Sequence, residues 1–249
     1  MRRSFTTLLL LLSLAAPATA ADGPVADPVD GPTWYLSLGD SLAAGYQAVG
    51  DPERDHITRA GYADQLWLMA RQAYPDLRLR NLACPGTSTA SIREASTRCA
   101  YEHDSQLAEA LAFLAGHEGE VAFVTIDLGF ADFACDDISC LWPGLTAISQ
   151  RLPGILEELR SAAPGVPIVG MNVYDPFLSL WFDEETRALS EASVDIVGLI
   201  DKTLGLAYAS AGVPVADVAT AFEIGDWEPS VAMAGRGDVP RNVALLCER

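Results

Sequence analysis

The chain reads as an α/β protein built on a parallel five-stranded sheet with helices on both faces, a three-layer α/β/α sandwich. Three observations carry this reading. Apolar runs of strand length recur along the 249 residues, helical spacing fills the intervals between them, and half of the residues are hydrophobic, enough to bury a large core. Strands that read as near-continuous apolar runs are covered on both faces, which is the habit of parallel sheets, and right-handed crossovers then join them.

Taken in order, "TWYLSLG" (33–39) predicts the first buried strand. "GYADQLWLMARQAY" (61–74) places Tyr62, Leu66, Met69 and Ala70 at helical spacing. "LRLRNLA" (77–83) alternates as a strand, and "SQLAEALAFLAGH" (105–117) is a helix with Ser105 as its cap. "EVAFVTIDLG" (120–129) is a strongly apolar strand. "LTAISQRLPGILEELRSAA" (145–163) is helical with an interruption at Pro153. A strand at 166–174, a long helical region at 185–212, continuous or broken, and a last short strand at 213–218 complete the alternation. No internal repeat or low-complexity linker follows Pro32, so residues 33–249 form one domain.

The N-terminus has the form of an export signal: Arg2 and Arg3, an apolar stretch from Leu8 to Ala16 too short to span a bilayer, then the small-residue box Ala18-Thr19-Ala20. Cleavage after Ala20 removes two arginines and no acid, so the net charge of −18 becomes −20. Residues 21–32 are a polar, Pro/Gly-rich leader. A surface this acidic repels nucleic-acid phosphates and anionic lipid headgroups, and penalises no neutral substrate. No other segment reads as a membrane span, and nothing fixes the oligomeric state. Export permits disulfides, and local bridges Cys84–Cys99 and Cys135–Cys140 are the economical pairing of the five cysteines, leaving Cys247 over.

"YLSLGDSLAAGY" (35–46) poses the functional question, because a buried strand stops at a sharp turn that presents Ser41. Gly, Asp and Ser are ordinary turn residues, and Asp or Ser caps helices. Yet ligands of parallel sheets bind beyond the carboxyl ends of the strands. Gly86 in "NLACPGTST" (81–89) and Gly129 in "IDLGFADF" (126–133) end the next two strands. A serine nucleophile needs a base and an oxyanion hole, and glycines beside it let backbone N–H groups approach the developing charge.

"GDSLAAGY", "NLACPGTST" and "VTIDLGFADF" resemble the first three blocks of the SGNH, or GDSL, esterase and lipase family. "GVPIVGMNVYDPF" and "VPVADVATAF" are similar to later stretches of exported actinobacterial members, so the likeness runs from about Trp34 to Cys247. The resemblance implies a flavodoxin-like sheet and hydrolysis of carboxylic esters, small-molecule or lipid, through an acyl-serine, with no metal or organic cofactor. Ser41 would be the nucleophile, and the N–H groups of Ser41 and Gly86 would bind the oxyanion. Asp40 and Asp132 would support the crevice.

Two departures stand out. Ala131 occupies the place where the third block of the family carries an Asn whose amide is a further oxyanion donor. No histidine follows His117, where the family has a C-terminal Asp-x-x-His. A chain cut before that block would explain both the absent base and the odd Cys247. His56 is the best placed of the three histidines as a substitute base, although a loop histidine among charged neighbours is ordinarily just solvated. His103 stands at a helix start, and His117 suits a helix C-terminus. Asp127 with Asp132 as a glycosidase pair and Cys135-Asp136-Asp137 as a cation site are weaker readings. The expectation is therefore a secreted SGNH-type esterase scaffold. The alternatives are a catalytically dead relative that binds an ester, glycan or lipid, and an inactive truncated chain.

Overall fold

A computed structural model describes residues 33–47, 56–135, 138–228 and 230–248. The export signal, the leader and Asp136-Asp137 lie outside them. The elements are β1 (Trp34–Gly39), α1 (Ser41–Ala44), β2 (Tyr46–Gln47), β3 (His56–Ile57), α2 (Tyr62–Ala70), β4 (Arg78–Asn81), α3 (Gln106–Gly116) and β5 (Val121–Asp127). They continue with α4 (Leu141–Ala162), β6 (Ile168–Met171), α5 (Arg187–Ser210), β7 (Val215–Ala216), α6 (Val218–Ala221), β8 (Ser230–Met233), β9 (Gly237–Pro240) and α7 (Arg241–Glu248).

The central sheet has the order β4-β1-β5-β6-β7, with every pair parallel. Ranked along the chain, those five strands run 2-1-3-4-5, the doubly wound order in which the chain reverses direction between the first and third strands. Alternate residues of β1 serve the two faces. Leu36 and Leu38 join the larger core with Val124 and Ile126, under α3, α4 and α5. Tyr35 points to the smaller core, with Leu77 and Ala63 under α2. A third cluster joins Leu178, Val239, Val243 and Ala244, tying α7 and the β8–β9 hairpin to the turn before α5.

The structure corrects one expected element and decides another that the sequence left open. Helix α4 begins at Leu141 and runs unbroken through Pro153. Proline forfeits one backbone bond there, but Ile148, Leu152, Ile155, Leu156 and Leu159 are all buried, and that packing outweighs the local loss. Likewise α5 is continuous from Arg187 to Ser210, with Val197, Ile200, Leu204 and Tyr208 buried along one stripe. Ser105 caps α3 by accepting from the Ala108 N–H at 3.2 Å. Both expected disulfides, Cys84–Cys99 and Cys135–Cys140, are present, and the Cys247 thiol is free and exposed. Among the described residues, no helix is long and apolar enough to cross a membrane.

Candidate active site

The turn at the end of β1 is held from three sides. In register, Gly39 lies opposite Asp127 of β5. A methyl group on Gly39 would fall 1.3 Å from Asp127 Oδ1, and its φ of +141° disfavours any other residue. Asp127 Oδ1 accepts the Asp40 N–H at 3.2 Å, and Asp40 Oδ1 accepts the Leu42 N–H at 3.0 Å, capping α1. From α3, the buried Gln106 amide accepts from the Gly39 N–H at 2.9 Å and donates to the Gly39 carbonyl at 3.0 Å. The same Nε2 reaches Thr87 Oγ1 at 3.3 Å, so one side chain joins the serine turn to the Gly86 turn.

Gly86 sits just beyond β4, where the Cys84 N–H donates to the Gly39 carbonyl at 3.1 Å. Its φ is +83° with open space around it, so glycine is required there by conformation alone. The Gly129–Phe133 turn after β5 closes the third side. Asp132 accepts from the Thr89 N–H at 2.9 Å and from Thr89 Oγ1 at 2.6 Å, pinning this turn to the Gly86 loop. Gly129, at φ +127°, passes between α4 and α5 with no room for a side chain against Leu204 and Ile148.

Asp40, Ser41, Gly86 and Ala131 line one end of a cavity of about 560 Å³. The remainder is apolar, with Phe133, Leu141, Phe177, Leu180, Ile196 and Ile200 in its wall and the Cys135–Cys140 bridge along one side. A larger hollow of about 1030 Å³ opens at the amino-terminal ends of β6 and β7, beside the turns 163–167 and 211–214. It is remote from these groups, and its Arg160 donates to the Ala211 carbonyl.

The electrostatics are those of buried acids. Burial raises the Asp40 carboxyl above its ordinary range, against the opposing hydrogen bonds of the Leu42 N–H and the Ser41 hydroxyl. Burial raises Asp127 much further, and the neighbouring Asp40 charge adds to it. Two such carboxyls side by side do not both ionise near neutrality. Asp127 Oδ2 has no partner among the described residues, so charge there would go uncompensated.

No histidine lines the cavity. His56 is exposed on β3, opposite Gln47. His103 pairs with Glu109 at 2.9 Å. His117 stacks on Phe113 and meets the edge of Trp34, at the far end of β1, roughly 20 Å of strand away from Ser41. Among the described residues, no group of three or more His, Cys, Asp or Glu side chains is arranged to hold a metal ion.

Sequence reasoning missed Gln106, whose only signal was an amide at the start of a largely apolar helix. It also missed the acids beyond β6 and β7. Asp217 accepts from Asn172 Nδ2 at 2.9 Å, and Asn172 Oδ1 accepts from the Val218 and Ala219 N–H groups. Asp201 accepts from the Val173 N–H at 2.9 Å, and burial pushes its carboxyl up to about 6, with the Asp217 and Asp175 charges adding. Between about 4, its unfolded value, and about 6, the native state holds a proton that the unfolded chain has lost. Stability therefore falls as pH rises through that window. Asp201→Asn should flatten this part of a plot of Tm against pH. An unchanged slope would show that Asp201 titrates normally.

Residues 37–237 match the family model described as GDSL-like lipase/acylhydrolase, and the chain belongs to that family. Its fold is shared with phospholipase A1 from Streptomyces albidoflavus, at 17% identity and a TM-score of 0.50 over 88% of this chain and 99% of that one. The extracellular lipase of Streptomyces rimosus gives 18% identity and 0.50 over 87% and 99%. A lipase from a goat rumen metagenome gives 15% identity and 0.52 over 87% and 94%. No curated protein matches the chain.

Proposed function

We propose that the protein is an exported serine esterase that cleaves carboxylic esters with an apolar acyl group. The observation that carries this reading is the cavity: Ser41 and Gly86 stand at the polar end of a pocket whose other walls are apolar. The acyl chain lies among Phe133, Leu180 and Ile200. Ser41 Oγ attacks the ester carbonyl, and the N–H groups of Ser41 and Gly86 receive the negative oxygen. Asp40 precedes Ser41 in the chain and lines the same cavity, which supports Asp40 as the first acceptor of the serine proton, and that proton then passes to the leaving alkoxide. Water hydrolyses the acyl-serine. Two disulfides suit an oxidising, extracellular setting.

A fluorophosphonate ester tests the nucleophile directly. Peptide mass mapping should find the adduct on Ser41 and on no other serine. A second reading, in which the pocket holds an ester without turning it over, is favoured by Ala131 and by the lack of a histidine in the cavity wall. Retained binding of a fatty-acyl ligand with no adduct would establish that reading in place of the first.

A further inference from the structure

Of the nine exposed large apolar side chains among the described residues, four gather around one opening, while Ile57, Leu68, Met69, Tyr74 and Leu206 lie elsewhere. Ile138 is 66% exposed, Phe177 46% and Leu189 60%, and all three stand at the wall of the Ser41 cavity. Trp142, 71% exposed, flanks it across Ala131, in a shallow depression that also holds Asp132 and Arg151. They come from three separate places in the fold: the turn and helix start after Cys135, the 3-10 turn Pro176–Phe182, and the first turn of α5. Folding brings them together around one opening and leaves them in water. Contiguous exposed apolar patches are uncommon on monomers and mark docking surfaces.

We propose that this face is where the protein seats on a zwitterionic, choline-headed phospholipid surface, with Trp142 and Ile138 entering the headgroup layer and the cavity mouth opening onto the acyl chains. The charge around the patch selects this partner. Asp183, Glu184 and Glu185 are exposed on the turn into α5, and Glu191 and Asp195 are exposed along it. The basic groups nearby are Arg151, Arg187, which lies over the Trp181 ring and donates to the Trp181 carbonyl, and Arg236, which lies over the Phe182 ring, so the five acids still outnumber the arginines. An anionic bilayer is repelled by this arrangement. The outermost charge of a choline headgroup is a quaternary ammonium, which carboxylates and an exposed indole both attract. Amphipathic faces of this kind lie in the interface without spanning it.

The proposal rests on the esterase reading only for the role of the opening, and its test needs no turnover. The Ser41→Ala protein is sedimented with phosphatidylcholine vesicles and, separately, with vesicles containing phosphatidylglycerol. Binding should occur with the first and weaken with the second. It should fall at least tenfold in a Trp142→Ser, Ile138→Ser double variant of the same protein. Trp142→Ser alone, at a side chain that supports no core, keeps the experiment open if the double variant folds poorly. The proposal is overturned by no binding to phosphatidylcholine, by binding that the variants leave unchanged, or by stronger binding to the anionic vesicles. It is also overturned by a dimer in sedimentation equilibrium that Trp142→Ser dissociates, which would assign the face to a second copy of the chain. Vesicle binding without hydrolysis of soluble p-nitrophenyl esters by the unaltered chain would sink the esterase reading and leave this one standing.

Discussion

Ser41→Ala should lower hydrolysis of a soluble p-nitrophenyl ester by about a thousandfold or more while leaving the fold intact. The magnitude follows from what is removed. On the proposed mechanism, no acyl-enzyme forms without the hydroxyl, and only binding and the backbone donors remain to assist direct attack by water. The fold survives because Ser41 is half-buried, and the change removes at most a hydroxyl hydrogen bond. One such bond is worth about 0.5–1.5 kcal/mol, a few degrees of Tm at most in a domain of this size. Rate and melting temperature measured on the same preparation decide the matter. A residual rate within tenfold of the parent would remove Ser41 from the reaction.

Ala131→Asn should act in the opposite direction and raise kcat by about tenfold to a hundredfold. Ala131 lines the cavity with Ser41 and Gly86, and its neighbour Asp132 is fixed by two bonds to Thr89. An amide introduced there is held by a rigid turn. On the proposed mechanism it adds a donor where the carbonyl oxygen becomes negative, and a donor of this kind typically carries a hundredfold to a thousandfold in rate. The gain should appear in kcat with little change in KM, because the charge develops only in the transition state. The Ser41→Ala, Ala131→Asn double variant should show no gain. An increase that survives loss of Ser41, or no increase in the single variant, would show that residue 131 does not face the oxyanion.

Much of the fold was legible because its strands are apolar and its helices carry stripes. Ser41, Gly86 and Gly129 announced themselves as strand-end residues in a parallel sheet. What escaped notice depends on contacts distant in sequence. The Gly39–Asp127 register cannot be seen in either residue alone, and with it goes the buried acid pair beneath the serine. Gln106 was hidden because its partners, Gly39 and Thr87, lie on other elements. The short alternation of β8 and β9 in "SVAMAGRGDVP" gave too little period to stand out, although Gly235 and Gly237 both take positive φ at that hairpin. The apolar wall of the cavity draws on the irregular turn Pro176–Phe182, which has neither period. The Pro153 expectation failed for the reverse reason: a strong local signal was overruled by burial of the whole helix face.

The way Gln106 and Asp127 hold the serine turn has a kinetic meaning. The bonds that set Gly39 and Asp40 join residues 67 and 87 positions apart. Contacts so distant along the chain carry a large loop-closure cost and are characteristic of slow folding. The four residues of α1 cannot arrange themselves for chemistry while β1, α3 and β5 are still finding one another. A nascent or partly unfolded molecule therefore carries Ser41 as an ordinary hydroxyl. On the esterase reading, any nucleophilic character of Ser41 belongs to the molecule in which β1, α3 and β5 are already joined, and it is lost when the central sheet loosens.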